Sequence, residues 1–261
     1  MTQQPRKTDG SAGDADYGAI GTDYSRYRRP DARIARQIHD ALGSAKTVLN
    51  IGAGAGSYEP LDRHVTAVEP SASMRAQRPA SLSAAIDASA EALSFADNSF
   101  DAAMASFTVH QWGDLEGGLR ELRRVTAGPV VILSCDPAKL NRFWLVDYAP
   151  EVLQTEARRY PAPSEIARLL GGAVEVRRVQ VPLDCTDGFG EAYYGRPEAL
   201  LDPGARLANS AWSFVGPEVA PRFERELRRD LDSGVWDTRH GALRTQREFE
   251  GSLRLIVGVP A

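Results

Sequence analysis

Apolar residues recur at helical spacing in two stretches of the first half of the chain. In residues 30–43, Ile34, Ile38 and Leu42 are four residues apart, which places them on one face of a helix. Residues 114–126 repeat this amphipathic pattern, with leucines facing one side. Two helices, each packed on a core through one face, are therefore predicted.

Short β-branched and apolar runs alternate with helical segments and predict strands. Seven such runs occur, at residues 47–51, 65–69, 84–87, 100–106, 129–134, 174–182 and 253–259. Alternation of strand and helix is typical of right-handed βαβ units, whose parallel sheets are covered by helices on both faces. We therefore predict an α/β fold with a Rossmann-like, seven-stranded, mostly parallel sheet.

The alternation loosens after residue 137. Residues 140–160 and 184–250 are rich in aromatic side chains and helical patterns, and the second segment lies before the last predicted strand. We expect them to be variable substrate-lid segments of one domain over residues 17–261. The polar residues 1–16 are predicted to be a disordered tail.

The balance of charged residues, the longest apolar stretch and the cysteine spacing indicate which kinds of partner to expect. With 31 Lys and Arg against 35 Asp and Glu, the chain lacks the basic excess of nucleic-acid-binding proteins, which favours a small-molecule partner. The apolar stretch 129–135 is far too short to cross a bilayer, so no membrane association and a cytoplasmic location are expected. Cys135 and Cys185 have no metal-ligand spacing, so no metal is expected. A monomer or a homodimer is expected.

A glycine-rich segment follows the first predicted strand, with the sequence VLNIGAGAG over residues 48–56. Glycine suits a sharp turn that approaches a ligand closely, because it has no Cβ. The dinucleotide fingerprint G-x-G-x-x-G would require glycine at position 57, where the chain has Ser57. This register favours a nucleoside with an amino-acid tail over a pyrophosphate. Glu69, after the second strand, is placed to accept hydrogen bonds from both hydroxyls of a ribose.

Four segments, at residues 48–58, 65–71, 90–101 and 107–112, together resemble the successive motifs of class I S-adenosylmethionine-dependent methyltransferases. The nearest-looking subgroup contains small-molecule enzymes similar to trans-aconitate methyltransferase and the bacterial "type 11" enzymes. The resemblance implies an enzyme with S-adenosyl-L-methionine as cofactor, S-adenosyl-L-homocysteine as product and no metal.

The resemblance also implies which residues contact the cofactor. In chain order they are Tyr24, Asn50, Gly52, Ala53, Gly54, Glu69, Pro70, Met74, Ser89, Ala90, Ser106 and Phe107. The glycine turn would face the methionine part, Glu69 the ribose, and Met74 the adenine. The chain departs from the family at Asn50, where relatives often have Asp or Glu, and at Ser89, where many have Asp.

Catalytic and substrate residues are predicted less directly. His110 follows the fourth strand and is the candidate general base if the acceptor must lose a proton. Aromatic residues are candidate contacts of the acceptor: Tyr27 near the N-terminus, Trp112 in the same motif as His110, and Trp144, Tyr193, Tyr194 and Trp212 in the lid segments. Cationic candidates for recognising a carboxylate or phosphate are Arg28, Arg29, Arg196, Arg239 and His240.

The predicted activity is in-line transfer of a methyl group from S-adenosylmethionine to O, N or C of a small molecule, such as a carboxylate or a secondary-metabolite scaffold. One alternative is a protein that binds S-adenosylmethionine without methyl transfer, since the same motifs would serve it. A second is an NAD(P)-dependent oxidoreductase, which Ser57 and the absence of a Tyr-x-x-x-Lys pair disfavour.

Overall fold

The computed structural model describes residues 24–260, and the predicted tail over residues 1–16 lies outside the described residues. Eight strands are present in the described part. In chain order they are β1 (Thr47–Ile51), β2 (His64–Val68), β3 (Ala102–Ser106), β4 (Val130–Cys135), β5 (Ala173–Arg178), β6 (Val181–Pro182), β7 (Glu248–Phe249) and β8 (Leu253–Val259).

Six of these strands form the central sheet, in the order β2-β1-β3-β4-β8-β5. The pairs β1–β2, β1–β3 and β3–β4 are parallel, whereas β8 runs antiparallel to both β4 and β5. β8 is thus the one reversed strand of this sheet. The mostly parallel, Rossmann-like sheet predicted from the sequence is confirmed.

The sheet has six strands because the third predicted run does not form one. In residues 84–87, only Ile86 pairs with β2, through a single parallel bridge to Val68. Ile86 is about half exposed, at 46% of its surface, so little apolar burial holds this segment against the sheet edge. The prediction of seven strands was therefore wrong in counting residues 84–87 as a strand of the central sheet.

Both faces of the sheet are buried. Val131 and Leu133 of β4 belong to one apolar cluster, and their neighbours Val130 and Ile132 belong to the other. This division follows from the alternation of side chains along a strand. It explains why β4 is apolar at successive positions.

Nine α-helices lie in the described part. They are α1 (Tyr24–Tyr27), α2 (Ala32–Ala41), α3 (Ala72–Ala76), α4 (Leu115–Arg124), α5 (Pro150–Arg159), α6 (Pro163–Leu170), α7 (Pro203–Leu207), α8 (Val219–Asp232) and α9 (Val235–His240). Short 3-10 helices cover Val109–Gln111, Pro137–Arg142, Trp144–Asp147, Gly190–Tyr193, Pro197–Leu201, Ser210–Phe214 and Gly241–Arg244. No helix in residues 24–260 is long and apolar enough to cross a membrane.

The two predicted amphipathic helices cover opposite faces of the sheet. Ile34 and Ile38 of α2 pack in the first apolar cluster, and Leu119 and Leu122 of α4 pack in the second. Asp114 caps α4, accepting a hydrogen bond from the Gly117 N–H at 2.9 Å.

The first described helix is joined to the segment between β6 and β7. Arg28 forms an antiparallel bridge with Asp187, and the Gly188 N–H donates to the Tyr27 carbonyl at 2.9 Å. This pairing brings α1 and residues 184–190 together above the carboxyl ends of β1 and β3.

Candidate active site

A cavity with about 880 Å³ of empty space, counted to its open mouth, lies at the carboxyl ends of β1, β2 and β3. Since β2 and β3 lie on opposite sides of β1, this crevice is a topological switch point, where ligands of open α/β sheets bind. The residues that the sequence assigns to a cofactor all line this first cavity: Tyr24, Asn50, Gly52, Ala53, Gly54, Glu69, Pro70, Met74, Ser89, Ala90, Ser106 and Phe107.

The glycine turn begins directly after β1. Gly52 has a φ of +62°, and a Cβ there would overlap the Thr108 side chain. Gly54 also has a positive φ, of +51°. Glycine is therefore required at position 52 both by backbone conformation and by the close approach of the loop after β3.

The Glu69 carboxylate stabilises the turn that it faces. Its two oxygens accept hydrogen bonds of 2.8 Å, one from the Gly54 N–H and the other from the Ser71 N–H. Burial raises the pKa of Glu69, because the charged form loses solvation, while these two bonds oppose that rise. Each oxygen keeps a further lone pair for a ligand in the cavity.

Asn50 lies at the bottom of the cavity and belongs to a buried polar network. Its side-chain N–H donates to Glu59 Oε1 at 2.9 Å, and Glu59 Oε2 pairs with the Arg78 guanidinium at 2.9 Å. Asn50 is 2% exposed and Glu59 6% exposed. Because the amide nitrogen is held by Glu59, the network fixes which way the Asn50 side chain faces.

The end of β3 presents two unusual groups to the cavity. Phe107 has a φ of +54°, a conformation that costs a non-glycine residue about 1–3 kcal/mol and is typical of functional sites. The Ser106 hydroxyl is buried and has no hydrogen-bond partner within residues 24–260. An unsatisfied hydroxyl at this place suits a ligand atom that can bond to it.

Trp112 forms part of the wall at the other end of the first cavity. Its ring packs against Gly118 of α4, where a Cβ would overlap it, and close to Ala90. The neighbouring Glu91 carboxylate accepts hydrogen bonds from the Gly113 and Asp114 N–H groups at 2.9 and 3.2 Å. The motif around Ala90 and the motif around Trp112 thus meet side by side.

A buried ion pair closes the cavity beneath α1. Arg28 Nε donates to Asp187 Oδ1 at 2.6 Å, and the Tyr58 hydroxyl donates to Asp187 Oδ2 at 2.7 Å. The Arg28 guanidinium also lies over the rings of Phe107, at 5.1 Å, and Tyr24, at 5.6 Å. Three distant parts of the chain therefore meet in one polar cluster.

A second cavity, with about 550 Å³ of empty space, adjoins the first and shares Tyr24, Arg28, Phe107 and Gln111 with it. Its remaining walls come from β4, α5, the loop around Phe189 and the residues before β8. The ionisable groups added there are His110, Cys135, Glu156, Tyr160 and Glu191.

His110 lies in the wall of this second cavity. Its ring packs against Tyr160, with centroids 4.2 Å apart, and its buried Nδ1 has no hydrogen-bond partner in the described chain. Burial lowers the pKa of His110 well below 6.5, and the positive charges of Arg159 and Arg28 lower it further. The imidazole is therefore uncharged at physiological pH, and the same burial and positive charges make it a weaker base than a free histidine.

Most aromatic residues predicted to contact the substrate lie elsewhere. Trp112 lines the first cavity, whereas the other five line neither cavity: Tyr27, Trp144, Tyr193, Tyr194 and Trp212. Trp144 is buried and donates to the Tyr194 carbonyl at 2.9 Å, and the Tyr194 ring stacks on Phe249. Their packing reflects the general value of large rings in a core.

The remaining three also have partners within the protein. The Tyr27 hydroxyl donates to Asp202 at 2.8 Å, and the Trp212 ring contacts Phe223 edge to face. Tyr193 is buried, at 7% exposure, with Arg196 over its ring. Of the cationic candidates, Arg28 lines both cavities, while Arg29, Arg196, Arg239 and His240 line neither.

Sequence reasoning missed Glu59, Glu156, Asp187 and Glu191. Glu59 follows the glycine turn closely, so its place near Asn50 could have been suspected from the short connection to β2. The other three lie in the variable segments, where no spacing relates them to the motifs.

Comparisons with known proteins agree with this geometry. Residues 49–133 match the family model described as a methyltransferase domain. A search of curated proteins found no match.

Solved structures with this fold include one close in shape. A protein from Anabaena variabilis, assigned as a methyltransferase from an antibiotic biosynthesis pathway, is 29% identical with a TM-score of 0.83, over 90% of this chain and 99% of that one. The chain is also similar in fold to a Thermotoga maritima S-adenosylmethionine-dependent methyltransferase, suggested to be a histamine N-methyltransferase, at 16% identity and a TM-score of 0.52, over 91% of each chain. A 4+2 cyclase, SpnF, shares the fold at 15% identity and a TM-score of 0.50, over 88% of this chain and 81% of that one.

Proposed function

Since the chain is a class I S-adenosylmethionine-dependent methyltransferase, we propose that it methylates a small molecule held in the second cavity. The observation that carries this proposal is the junction of the two cavities. Every residue that the motifs assign to the cofactor lines the first cavity, and the second cavity meets it at Tyr24 and Phe107. A donor and an acceptor bound on either side of this junction would be neighbours.

The residues of the first cavity fit the cofactor in three respects. The turn from Gly52 to Gly54 offers backbone at close range, Glu69 keeps lone pairs for a ribose, and the buried Ser106 hydroxyl lacks a partner among the described residues. In our proposal, Met74, Ser89, Ala90 and Pro70 enclose the nucleoside end. When bound, S-adenosylmethionine supplies an electrophilic methyl group on a sulfonium.

Asn50 takes the place of the acidic residue found in many relatives. With its N–H group held by Glu59, the amide oxygen of Asn50 is free to accept a hydrogen bond from an ammonium group. In this proposal the oriented amide dipole of Asn50, in place of a carboxylate charge, attracts the ammonium group of the cofactor. The charge of Glu59 itself is paired with Arg78.

Two aromatic rings lie where the first and second cavities meet. Tyr24 and Phe107 line both cavities, and the Arg28 guanidinium already lies over both rings, so the rings are proposed to form an aromatic wall beside the methyl donor. Enclosure by α1 also limits water at this point, which favours displacement reactions that depend on positioning. The Arg28–Asp187 pair holds α1 in place.

His110 is proposed to accept the proton that an acceptor group must lose. It lines the second cavity, is uncharged at physiological pH, and its Nδ1 has no hydrogen-bond partner within residues 24–260. A hydroxyl or an amine nucleophile needs such a group within hydrogen-bond reach.

The remaining proposals concern organisation. Residues 17–261 are proposed to form one domain in which the segments at about 140–160 and 184–250 shape the acceptor site. Glu156 and Tyr160 from the first segment and Phe189 and Glu191 from the second line the second cavity, which supports that division. The protein is proposed to act on a small metabolite in the cytoplasm, as a monomer or homodimer and without nucleic acid.

Ligand-dependent stability tests the cofactor proposal first. S-adenosylhomocysteine should raise the melting temperature, and the shift should keep growing with the logarithm of its concentration above the Kd, whereas NAD should not raise it. Stabilisation by NAD alone would contradict the proposal. Incubation with methyl-labelled S-adenosylmethionine and a metabolite extract then tests transfer. Tight binding without any labelled product would instead favour a binding protein that lacks methyl transfer.

A further inference from the structure

We propose that the second cavity selects an amine as the methyl acceptor and that the Glu156 carboxylate binds its ammonium group. His110 would then take one N–H proton, so that the nitrogen lone pair attacks the methyl carbon while the carbon–sulfur bond breaks and S-adenosylhomocysteine leaves. This inference deepens the proposed function and depends on it. It concerns the class of acceptor, which the methyltransferase motifs leave open between O, N and C.

Glu156 projects from α5 into the second cavity. No hydrogen bond joins its carboxylate to the described part of the chain, although the side chain is mostly removed from solvent. An ionised carboxylate in such a place is costly unless a donor or a cation reaches it. A bound ammonium group would supply both.

Glu191, the other carboxylate that lines this cavity, differs from Glu156 because its oxygens are hydrogen-bonded. Its two oxygens accept hydrogen bonds from the Ser252 N–H at 2.9 and 3.0 Å, and one also accepts from the Ser252 hydroxyl at 2.9 Å. Glu191 is thus engaged in joining the lid segment to the residues before β8. Glu156 is the carboxylate of this cavity that is left for a ligand.

The charges around Glu156 favour a cationic ligand over an anionic one. The groups that face it are Glu191, His110, Cys135, Tyr160, Arg28 and Arg159. Arg28 is paired with Asp187, and Arg159 bonds to the Ser210 hydroxyl at 3.1 Å and lies over the Phe214 ring. A carboxylate substrate would therefore meet two acidic side chains while both arginines are already engaged.

Protonation supports this assignment. Burial raises the pKa of both Glu156 and Glu191 to about 7, and the charge of Glu156 contributes to the shift of Glu191. A cation placed between them would reverse that rise, since an opposite charge favours the ionised form. Amine binding near neutral pH should thus be accompanied by release of a proton from the protein.

The rest of the cavity suits the body of an aromatic or apolar amine. His110 and Tyr160 stack on each other in one wall, and Phe107 lies 5.3 Å from Phe189 in another, measured between ring centroids. Aromatic faces attract an ammonium group and bury apolar atoms of the ligand. Phe107 also lines the first cavity, which places this wall beside the methyl donor.

Matched ligands test the inference without requiring turnover. The protein, saturated with S-adenosylhomocysteine, is titrated calorimetrically with 2-phenylethylamine, 2-phenylethanol and 3-phenylpropanoate. The amine is expected to bind about tenfold more tightly than either of the others, as a charge-assisted hydrogen bond implies. Repeating the titration in buffers of different ionisation enthalpy should reveal the released proton.

Substitutions at Glu156 test whether this residue causes the preference for the amine. Glu156→Gln should remove the preference for the amine, and Glu156→Asp should retain part of it. Glu165→Gln, an exposed change on α6, should leave it intact. Because Glu156 has no hydrogen-bond partner to lose in the part of the chain that the structure describes, Glu156→Gln should melt at or above the wild-type temperature, and this measurement establishes that the variant is folded.

Three results would overturn the inference: equal or tighter binding of the carboxylate, an amine preference that survives Glu156→Gln, or no binding of the amine at millimolar concentration. These failures are distinct from failure of the proposed function. In that case S-adenosylhomocysteine itself would not stabilise the protein.

Discussion

The side-chain amide of Asn50 donates a 2.9 Å hydrogen bond to the carboxylate of Glu59, nine residues later, and both groups are buried beneath the glycine turn. The same carboxylate pairs with Arg78. At a position where the resemblance to class I methyltransferases led us to expect an acid, the chain has an uncharged amide, and the buried carboxylate of the network is that of Glu59.

Asn50→Asp, although it restores the acid of many relatives, should weaken the protein. It would place a second carboxylate beside Glu59 and remove their hydrogen bond, at a cost of about 2 kcal/mol in the free energy of unfolding. The affinity for S-adenosylhomocysteine should fall with it. Denaturant unfolding and calorimetry measure the two effects.

A double variant provides the control for this prediction. Asn50→Asp together with Glu59→Gln reverses the direction of the hydrogen bond and returns the network to a single negative charge, now at position 50, while the amide oxygen introduced at position 59 can still accept from Arg78. It should recover most of the lost stability. A fully stable Asn50→Asp protein that binds more tightly would show that Glu59 does not govern this position.

Glu69→Gln should reduce affinity for any ligand that contains the ribose. The change replaces an acceptor of the Gly54 or Ser71 N–H by a donor and weakens the proposed bonds to the sugar, so a loss of about tenfold or more is expected. S-adenosylhomocysteine and 5′-methylthioadenosine should be affected alike, because both carry the sugar.

Comparison of those two ligands separates the roles of Glu69 and Asn50. Asn50→Asp should alter binding of S-adenosylhomocysteine but leave 5′-methylthioadenosine nearly unaffected, since the latter lacks the amino-acid tail. If Glu69→Gln weakened only the ligand with the tail, the ribose assignment would be incorrect.

His110 should make stability depend on pH below neutrality. Because its pKa in the folded protein is well below 6.5, the unfolded chain binds a proton that the folded chain does not. The stability is therefore fully present above about pH 6.5 and is lost as pH falls, by about 1.4 kcal/mol per pH unit. Denaturant unfolding at pH 7 and 5.5 should show a smaller loss for His110→Gln than for the wild type. The exposed change His64→Gln serves as control, and equal losses in all three proteins would refute the prediction.

His110→Ala should also lower kcat by about 100-fold, as expected for loss of a general base. The measurement is methyl-labelled product formation across pH 6 to 9 with the acceptor found in the titrations. Turnover that is unchanged throughout this range would remove His110 from the mechanism.

Asp187→Asn should destabilise the protein by about 3 kcal/mol, because it leaves the Arg28 guanidinium buried without its counter-ion. It also weakens the contact between α1 and the lid segment, so affinity for S-adenosylhomocysteine should fall. Asp184→Asn is the matched control, since it breaks the exposed pair that joins Arg33 of α2 to the same lid segment and should change little. Equal effects of the two variants would argue against a special role for the buried pair.

The sequence alone determined the order of most strands and helices and the place of the first cavity. β1, β4, α4 and β8 could be predicted because their apolar spacing is local and strong, and a G-x-G-x-G turn after a strand has few conformations open to it. The weak run around Ile86 was overestimated, since an edge segment receives little burial from one side of the sheet.

Only the tertiary structure decided the second cavity and its chemistry. The lid aromatics looked like pocket walls, but Trp144 and Tyr194 fill the core, because a large ring is as useful for packing as for binding. Glu156, Asp187 and Glu191 come from segments far apart in sequence, and their roles depend on which groups face them after folding. Local periodicity specifies secondary structure, whereas the burial and pairing of a charge are properties of long-range contacts that no local pattern contains.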